Sequence, residues 1–235
     1  MGRMTTPSAT PAPTSAPAPA PAPTPVPAVS SASGGPVTVG FDLDLTLLDT
    51  RPGIKATWKA FVAETGVEVD VDLTISRLGP PLEQEMAQWV PAPLVTEMTA
   101  RYRALYPLYA IEPTRPMPGA RDAIDAVREA GGRTIVVTAK NGPHAELHLR
   151  HLGMEPDVVV GSLWAEGKGA ALRAHGARVY VGDHVGDVRG AAAAGAFSVA
   201  VATGPCAPEE LRAAGADVVL ADLTDFRAWW AGYLA

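Results

Sequence analysis

The sequence predicts an α/β fold in which a doubly wound parallel sheet forms the core and a small helical segment follows the first strand. Short apolar, β-branched runs alternate with helical patterns from about residue 118 onward, and polar residues follow several of these runs. About sixty residues with helical patterns separate the first apolar run from the second. Repeated βα units of this kind form parallel sheets that are covered by helices on both faces.

The composition narrows the classes of function. The chain of 235 residues carries a formal charge of -6 and no cluster of Lys and Arg, which argues against a nucleic-acid or anionic-membrane partner. No apolar run approaches the roughly 20 residues that span a bilayer. Cys206 is the only cysteine, so no internal disulfide can form, and we expect a reducing, cytoplasmic location.

Residues 1–35 differ from the rest in composition, because they consist mainly of Ala, Pro, Thr and Ser. Proline removes backbone donors, and these small residues offer little apolar area to offset the entropy lost on ordering. The segment is therefore predicted to be a disordered, semi-stiff tail. It has no compact apolar region typical of a signal peptide, although a transit peptide or a docking tail stays open.

Two acidic residues follow the first apolar run, Val37-Thr38-Val39-Gly40. We predict that this run is a buried strand and that its alternation sends Asp42 and Asp44 to the same side. Two such acids repel each other, so the pair indicates a bound cation or a raised pKa. The alternative is a strand that ends in a polar turn, with Asp49 as a helix cap.

The helical stretch that follows is predicted to contain helices at 54–64, 82–90 and 94–108. It is longer than an ordinary connection between two strands, so we predict that it forms a small second domain.

The remaining chain alternates strands and helices in a regular order. The predicted strands cover 134–138, 157–160, 179–182, 198–202 and 217–220. The predicted helices cover 120–130, 143–152, 168–175, 188–194, 208–214 and 223–234. Apolar strands that alternate with helices predict a mostly parallel sheet.

Polar residues at the ends of these later strands complete a candidate site. Thr138 ends the second core strand, Lys168 opens the helix after the third, and Asp183 and Asp187 follow the fourth. The carboxyl ends of parallel strands meet at one edge of a sheet, where open α/β folds bind their ligands. Carboxylate oxygens without Cys or His favour Mg²⁺, which commonly shares its ligand shell with phosphate.

These motifs resemble those of the haloacid dehalogenase superfamily, and the chain is similar to its phosphoglycolate phosphatase-like branch. The motifs appear in the order Asp42-Leu43-Asp44-Leu45-Thr46, Thr138, Lys168 and Gly182-Asp183 through Asp187. The resemblance implies a Rossmann-like core made of residues 36–51 and 112–235, with a helical cap domain at 52–111. It also implies a Mg²⁺-dependent phosphatase that acts on a small phosphorylated substrate such as phosphoglycolate or a sugar phosphate.

The resemblance also implies a role for each acidic residue. Asp42 would be the nucleophile that forms an aspartyl-phosphate, and Asp44 would be the general acid. The metal ligands would be Asp42 and Asp183 through their side chains and Asp44 through its backbone carbonyl. Asp187 would orient water or the metal from a second layer.

Four further residues are expected to bind the substrate. Thr138 and the backbone N–H of Ala139 would hold phosphoryl oxygens, and Lys168 would offset the negative charge of the phosphate and the nucleophile. The cap loop that contains Arg77 is expected to cover the cleft, and Arg77 would bind a substrate carboxylate or a second phosphate. A surface Arg beside a proline-rich turn is the alternative for Arg77.

The chain departs from the family pattern at three positions. Leu45 stands where the family usually has Gly, so this turn cannot rely on a conformation that only Gly adopts. Lys140, after Ala139, replaces the usual neighbours of the second motif and is a candidate substrate contact. His184 stands where a small hydroxyl residue is common, which places an imidazole near the cleft.

Several other functions compete with the phosphatase. Dehalogenases and phosphonatases lack the second acid of the first motif, so Asp44 argues against both. A sugar-phosphate mutase would share every core motif and is the enzymatic alternative. A non-catalytic phosphate-binding scaffold is the alternative of another class. The row of His144, His148 and His151 is interpreted as a solvated or partly packed helix face rather than a metal site.

Overall fold

The computed structural model describes residues 36–235, so the predicted tail at 1–35 lies outside the described residues. In this part of the chain the strands are β1 (Thr38–Phe41), β2 (Leu48–Asp49), β3 (Arg115–Pro116), β4 (Arg133–Val137), β5 (Val158–Val160), β6 (Ala177–Gly182), β7 (Phe197–Val201) and β8 (Val218–Leu220). The helices of the same residues are α1 (Arg51–Thr65), α2 (Val71–Ser76), α3 (Leu82–Met86), α4 (Val95–Tyr109), α5 (Ala120–Glu129), α6 (Gly142–His151), α7 (Lys168–Ala174), α8 (Val185–Ala194), α9 (Pro208–Ala213) and α10 (Phe226–Leu234).

Six strands form one sheet in the order β5-β4-β1-β6-β7-β8, and every pair in it is parallel. The first strand is central and the order reverses beside it, since β4 lies on one side and β6 on the other. This is the topology that brings the carboxyl ends of β1, β4 and β6 to one crevice. The predicted doubly wound parallel sheet is confirmed.

The apolar residues of β4 divide between two hydrophobic clusters, one on each face of the sheet. Along β4, Val136 packs into the cluster of α5 and α10, whereas Ile135 and Val137 pack into the cluster that contains Leu172 of α7. Alternate residues of a strand point to opposite faces, and both faces of this sheet are covered. The apolar runs in the sequence are continuous because both faces of the sheet are buried.

Helices α1 to α4 form a helical insert, residues 51–109, which has a hydrophobic cluster of its own. Trp58 and Phe61 of α1 pack against Tyr102 of α4, with ring centroids 4.6 Å and 6.2 Å apart respectively. The short antiparallel pair of β2 and β3 joins the two ends of the insert, with Leu48 opposite Pro116. The insert therefore leaves and rejoins the core at one place.

The elements of the insert differ from the prediction in detail. The first helix begins at Arg51 rather than 54, and the helix predicted at 82–90 ends at Met86. Helix α2 and the β2–β3 pair were not predicted. Within residues 36–235, no helix is both long and apolar enough to cross a bilayer.

Candidate active site

The loop after β1 carries the first two acids of the site. The strand ends at Phe41, so Asp42 and Asp44 lie on the loop that follows it. The prediction from strand alternation, which requires both residues to continue the strand, does not apply to them. The backbone N–H of Asp42 still donates to the carbonyl of Val181 at 2.8 Å, which continues the contact with β6 by one residue. Leu45 has a φ of 60°, a left-handed conformation that costs a non-glycine residue energy. Leu therefore adopts the conformation for which glycine is favoured, and its side chain is buried.

Three carboxylates converge at the ends of β1 and β6. Each of Asp42, Asp183 and Asp187 offers an oxygen atom, and these atoms lie within 4.8 Å of one another. All three residues are buried. Lys168 is also buried, and its Nζ lies 2.9 Å from Asp42 Oδ1 and 2.6 Å from Asp187 Oδ1. One ammonium thus faces three carboxylates, so two negative charges would remain if all were ionised.

The pKa values reflect this excess of negative charge. Burial raises the pKa of Asp42 to about 6, the positive charge of Lys168 opposes that rise, and Asp187 adds to it. Burial raises the pKa of Asp183 well above its usual range, and the negative charges of Asp187 and Asp42 act in the same direction. Burial alone would lower the pKa of Lys168, but Asp187 and Asp42 raise it. The lysine is therefore a permanent cation in this cluster.

This cluster fits a divalent cation. The ligand atoms are carboxylate oxygens in a buried site, and two positive charges would balance the two that lack a partner. The carboxylate of Asp44 lies outside the cluster, which leaves only its predicted backbone carbonyl as a ligand. The buried acids therefore form a site for a divalent metal ion.

Neighbouring polar groups hold the cluster in place. The hydroxyl of Thr46 donates to Asp183 Oδ1 at 2.7 Å. The hydroxyl of Tyr180 accepts from Lys168 Nζ at 2.8 Å and donates to the carbonyl of Val137 at 2.6 Å. Tyr180 thus links Lys168 to the end of β4. Sequence reasoning missed Tyr180, because a buried aromatic residue in a strand gives no functional signal.

A glycine forms part of the same wall. A Cβ atom at Gly204 would lie 1.9 Å from Asp183 Oδ2, so the loop after β7 can approach the carboxylate only without a side chain. The hydroxyl of Thr203, the preceding residue, donates to the carbonyl of Leu45 at 2.6 Å. The loop after β7 is therefore attached to the loop that carries the acids.

Asp44 stands beside the carboxylate cluster and faces the helical insert. Thr50 donates a hydrogen bond of 2.5 Å to Asp44 Oδ1, and Lys140 Nζ lies 3.0 Å from the same oxygen. Thr138 and Ala139 line the small pocket that Asp42 and Asp44 also line. The predicted residues Asp42, Asp44, Thr138, Ala139, Asp183 and Asp187 therefore line one cleft, with Lys168 beneath it.

A second, larger pocket lies between Asp44 and the insert. Arg77 lines it, but its guanidinium makes two hydrogen bonds to Glu85, at 2.9 Å and 2.7 Å. The guanidinium also lies over the ring of Trp89. Binding of a substrate anion by Arg77 stays a prediction, since the carboxylate of Glu85 would compete with that anion.

His184 lies where the insert meets the core. Its Nδ1 accepts from the N–H of Gly186 at 2.9 Å and so caps helix α8, while its ring packs against Trp164 with centroids 5.0 Å apart. Gly79 of the insert has a φ of 143°, and a Cβ there would lie 2.9 Å from His184 Cδ2. The imidazole near the cleft therefore contacts the loop of the insert.

The histidine row on α6 is more buried than expected. His148 is fully buried, and its Nε2 lies 2.9 Å from the hydroxyl of Tyr106 in α4. His144 stacks on the ring of Tyr106 with centroids 4.6 Å apart, while His151 is exposed. His148 lies on the buried face of α6 because α4 covers that face. The sequence pattern of α6 alone does not show this.

Comparisons with known proteins agree with this geometry. The family model described as haloacid dehalogenase-like hydrolase matches residues 39–201. A haloacid dehalogenase-like hydrolase from Streptococcus pneumoniae has a similar structure, with a TM-score of 0.73 and 23% identity. That similarity covers 83% of this chain and 98% of the other, and it confirms the fold.

Two relatives are similar in sequence. The tyrosine-protein kinase PtkA of Mycobacterium tuberculosis is 32% identical over 189 residues, which are 74% of this chain and 65% of the relative. The chain thus spans about two thirds of the length of that relative. The phosphoglycolate phosphatase of Xylella fastidiosa is also 32% identical over 189 residues, which are 70% of this chain and 80% of the relative.

Proposed function

The chain belongs to the haloacid dehalogenase-like hydrolase family, and we propose that it is a Mg²⁺-dependent phosphatase that hydrolyses a small phosphorylated metabolite through an aspartyl-phosphate. The family prediction is confirmed by the family match. The relatives named phosphoglycolate phosphatase support the proposed phosphatase activity. Mg²⁺ and a phosphoglycolate-like or sugar-phosphate substrate are the proposed part.

One observation carries the proposal: a buried carboxylate next to a buried lysine and two further carboxylates, with a second acid two residues along the loop. Asp42 attacks the phosphorus atom and forms the aspartyl-phosphate, while Lys168 stabilises the charge on both groups. Asp44 gives a proton to the leaving oxygen and later accepts one from water. Thr138 and Ala139 bind the phosphoryl oxygens.

The carboxylate cluster would hold the metal ion. Asp42 and Asp183 would be its side-chain ligands, with the backbone carbonyl of Asp44, and Asp187 would stand behind them and hold Lys168. When bound, Mg²⁺ would neutralise the phosphoryl oxygens during in-line transfer. Asp183 would keep its orientation through the hydrogen bond from Thr46.

Phosphate release tests the proposal. The purified chain would be incubated with phosphoglycolate and a panel of sugar phosphates, with Mg²⁺ or with EDTA, beside the Asp42→Asn variant. We expect Mg²⁺-dependent release that the variant lowers by at least about 10³-fold, because the nucleophile is lost. Release that survives in the variant would refute the aspartyl-phosphate route. Interconversion of sugar-phosphate isomers without release would favour the mutase.

A tyrosine kinase activity is a second candidate, since a relative of that name is 32% identical over 74% of this chain. The kinase would move the γ-phosphoryl group of ATP to a tyrosine hydroxyl and leave ADP. Incubation with γ-labelled ATP and a tyrosine peptide separates the two activities. Label on tyrosine in excess of free phosphate would replace the phosphatase proposal, and free phosphate alone would retain it.

We also propose that residues 52–111 act as a cap domain over the core of residues 36–51 and 112–235. The separate hydrophobic cluster of the insert and the β2–β3 pair at its ends support this division. The cytoplasmic location and the partners, a small phosphorylated substrate without nucleic acid or membrane, likewise stay proposals.

A further inference from the structure

Two hydrogen bonds and an ion pair connect the helical insert to Asp44. Lys140 Nζ donates to the hydroxyl of Tyr106 at 2.6 Å and lies 3.0 Å from Asp44 Oδ1. The same hydroxyl lies 2.9 Å from His148 Nε2. Tyr106 belongs to α4 of the insert, whereas Lys140 and His148 belong to the core. The lysine side chain is only 7% exposed, so water competes little for these contacts.

The groups involved fix the direction of the hydrogen bond between Lys140 and Tyr106. An ammonium group has donors only, so the oxygen of Tyr106 accepts from Lys140. In the contact between Tyr106 and His148, the donor depends on the tautomer of the imidazole. The other ring nitrogen of His148, Nδ1, is buried without a hydrogen-bond partner in the described part of the chain. An unpaired buried polar atom costs free energy, so this arrangement is maintained at a cost.

Both contacts that reach the carboxylate of Asp44 end on the same oxygen. Thr50 Oγ1 and Lys140 Nζ each approach Oδ1, at 2.5 Å and 3.0 Å. Among the hydrogen bonds of residues 36–235, Oδ2 accepts none. Oδ2 is therefore the oxygen that remains for a substrate in the adjoining pocket, which Asp44 lines.

We infer that Lys140 and Tyr106 are positioning residues that fix the carboxyl group of Asp44 with Oδ2 toward the leaving group. This inference rests on the proposed phosphatase function. Tyr106 holds Lys140, Lys140 holds Oδ1 of Asp44, and the position of α4 thereby determines how the acid is presented. Neither residue touches the reacting atoms.

The proton balance of the step assigns each group its part. As an oxygen of Asp42 bonds to phosphorus, the bond from phosphorus to the leaving oxygen breaks. The proton on Asp44 Oδ2 passes to that leaving oxygen, which departs as an alcohol. Asp44 remains as a carboxylate, whose Oδ1 is stabilised by the hydrogen bond from Thr50 and by the ion pair with Lys140. Lys140 and Tyr106 gain and lose no proton.

The dependence on the leaving group tests this inference. An alkyl phosphate needs the proton of Asp44, whereas p-nitrophenyl phosphate has a leaving group that departs without one. We would measure kcat/KM for both substrates in Tyr106→Phe and Lys140→Gln, with Asp44→Asn as the reference. General acid catalysis contributes about 10²-fold or more, so we expect losses of at least about 10-fold for the alkyl phosphate and under about 3-fold for the aryl one.

Two controls separate the inference from other causes. Tyr233→Phe removes the hydroxyl of another buried tyrosine, on α10 away from the cleft, and should change neither value. Tyr106→Phe keeps the ring that stacks on His144, and thermal unfolding would verify that it folds. Equal losses for both substrates, or no loss in either variant, would overturn the positioning role. A wild-type chain that releases no phosphate from any substrate would instead refute the proposed function, and the inference with it.

Discussion

The cleft has a core half, formed by Asp42, Lys168, Asp183 and Asp187, and an insert half, in which Tyr106 and the Gly79 loop of the insert meet Lys140, His148 and His184 of the core. In the core half, charged side chains pair with each other at the ends of adjacent strands. In the insert half, the aromatic ring of Tyr106 meets two imidazoles of α6 and a single lysine across the boundary between insert and core. The residues proposed for phosphoryl transfer are therefore held at the ends of the sheet strands. The surroundings of the leaving group depend on the position of the insert.

The two halves are expected to respond to pH in opposite directions, and this is the largest effect expected from the contrast between them. Burial, with the positive charge of Lys140, lowers the pKa of His148 to about 3, whereas Asp44 opposes this shift and His144 and His151 add to it. Below about pH 6.5 the unfolded chain binds a proton that the folded chain does not, so acid destabilises the fold. The raised pKa of Asp42, about 6, has the opposite effect on stability. As the pH falls, the folded chain protonates Asp42 before the unfolded chain does, so acid stabilises the fold through this residue.

Urea denaturation at pH 7 and pH 5 in EDTA measures this difference. Between these values His148 should cost the wild type about 2 kcal/mol of unfolding free energy relative to His148→Gln. Asp42→Asn should lose about 1 kcal/mol more than the wild type over the same interval. If His148→Gln shows the same pH dependence as the wild type, the imidazole is not held neutral by the insert.

The next effect concerns the contact between the halves at Gly79. Gly79→Ala would place a Cβ 2.9 Å from His184 Cδ2 and would force a backbone with a φ of 143°. We expect the loop to move away from the cleft and KM to rise about 10-fold, or about 1.4 kcal/mol of binding. Gly66→Ala is the matched control, since Gly66 also has a positive φ, 71°, but nothing within 4 Å of its Cβ position. An unchanged KM in Gly79→Ala would show that the contact has no part in binding.

The smallest expected effect tests Arg77 within the insert. Arg77→Ala should raise KM about 3-fold, and only for substrates that carry a second anionic group, because an exposed charge pair contributes at most about 1 kcal/mol. Glu85→Gln removes the competing carboxylate and should lower KM for the same substrates. If neither variant changes KM, Arg77 serves the structure of the insert and does not bind substrate.

Much of the core half could be predicted from the sequence. Apolar runs identified the strands, and Asp, Thr and Lys are unusual enough after such runs to mark the carboxyl edge. The β2–β3 pair could not be predicted, since strands of two residues show no periodicity and Pro116 lies in one of them.

The insert half was harder to predict because its contacts depend on which helix of the insert packs on the core. Tyr106 and His148, for example, are 42 positions apart. A helical pattern shows that α6 has a packed face but not which element covers it. Lys140 was a candidate for substrate contact, but its contacts with Asp44 and Tyr106 emerge only when α4 lies over α6.

The close approach of Gly204 to Asp183 has a consequence for how sequence variants of this protein are interpreted. A side chain at this position would displace a carboxylate of the metal site, although glycine itself has no group that could take part in the reaction. A substitution at residue 204 would therefore reduce activity as the loss of an acid does. A survey that ranks positions by the reactivity of their side chains would overlook it.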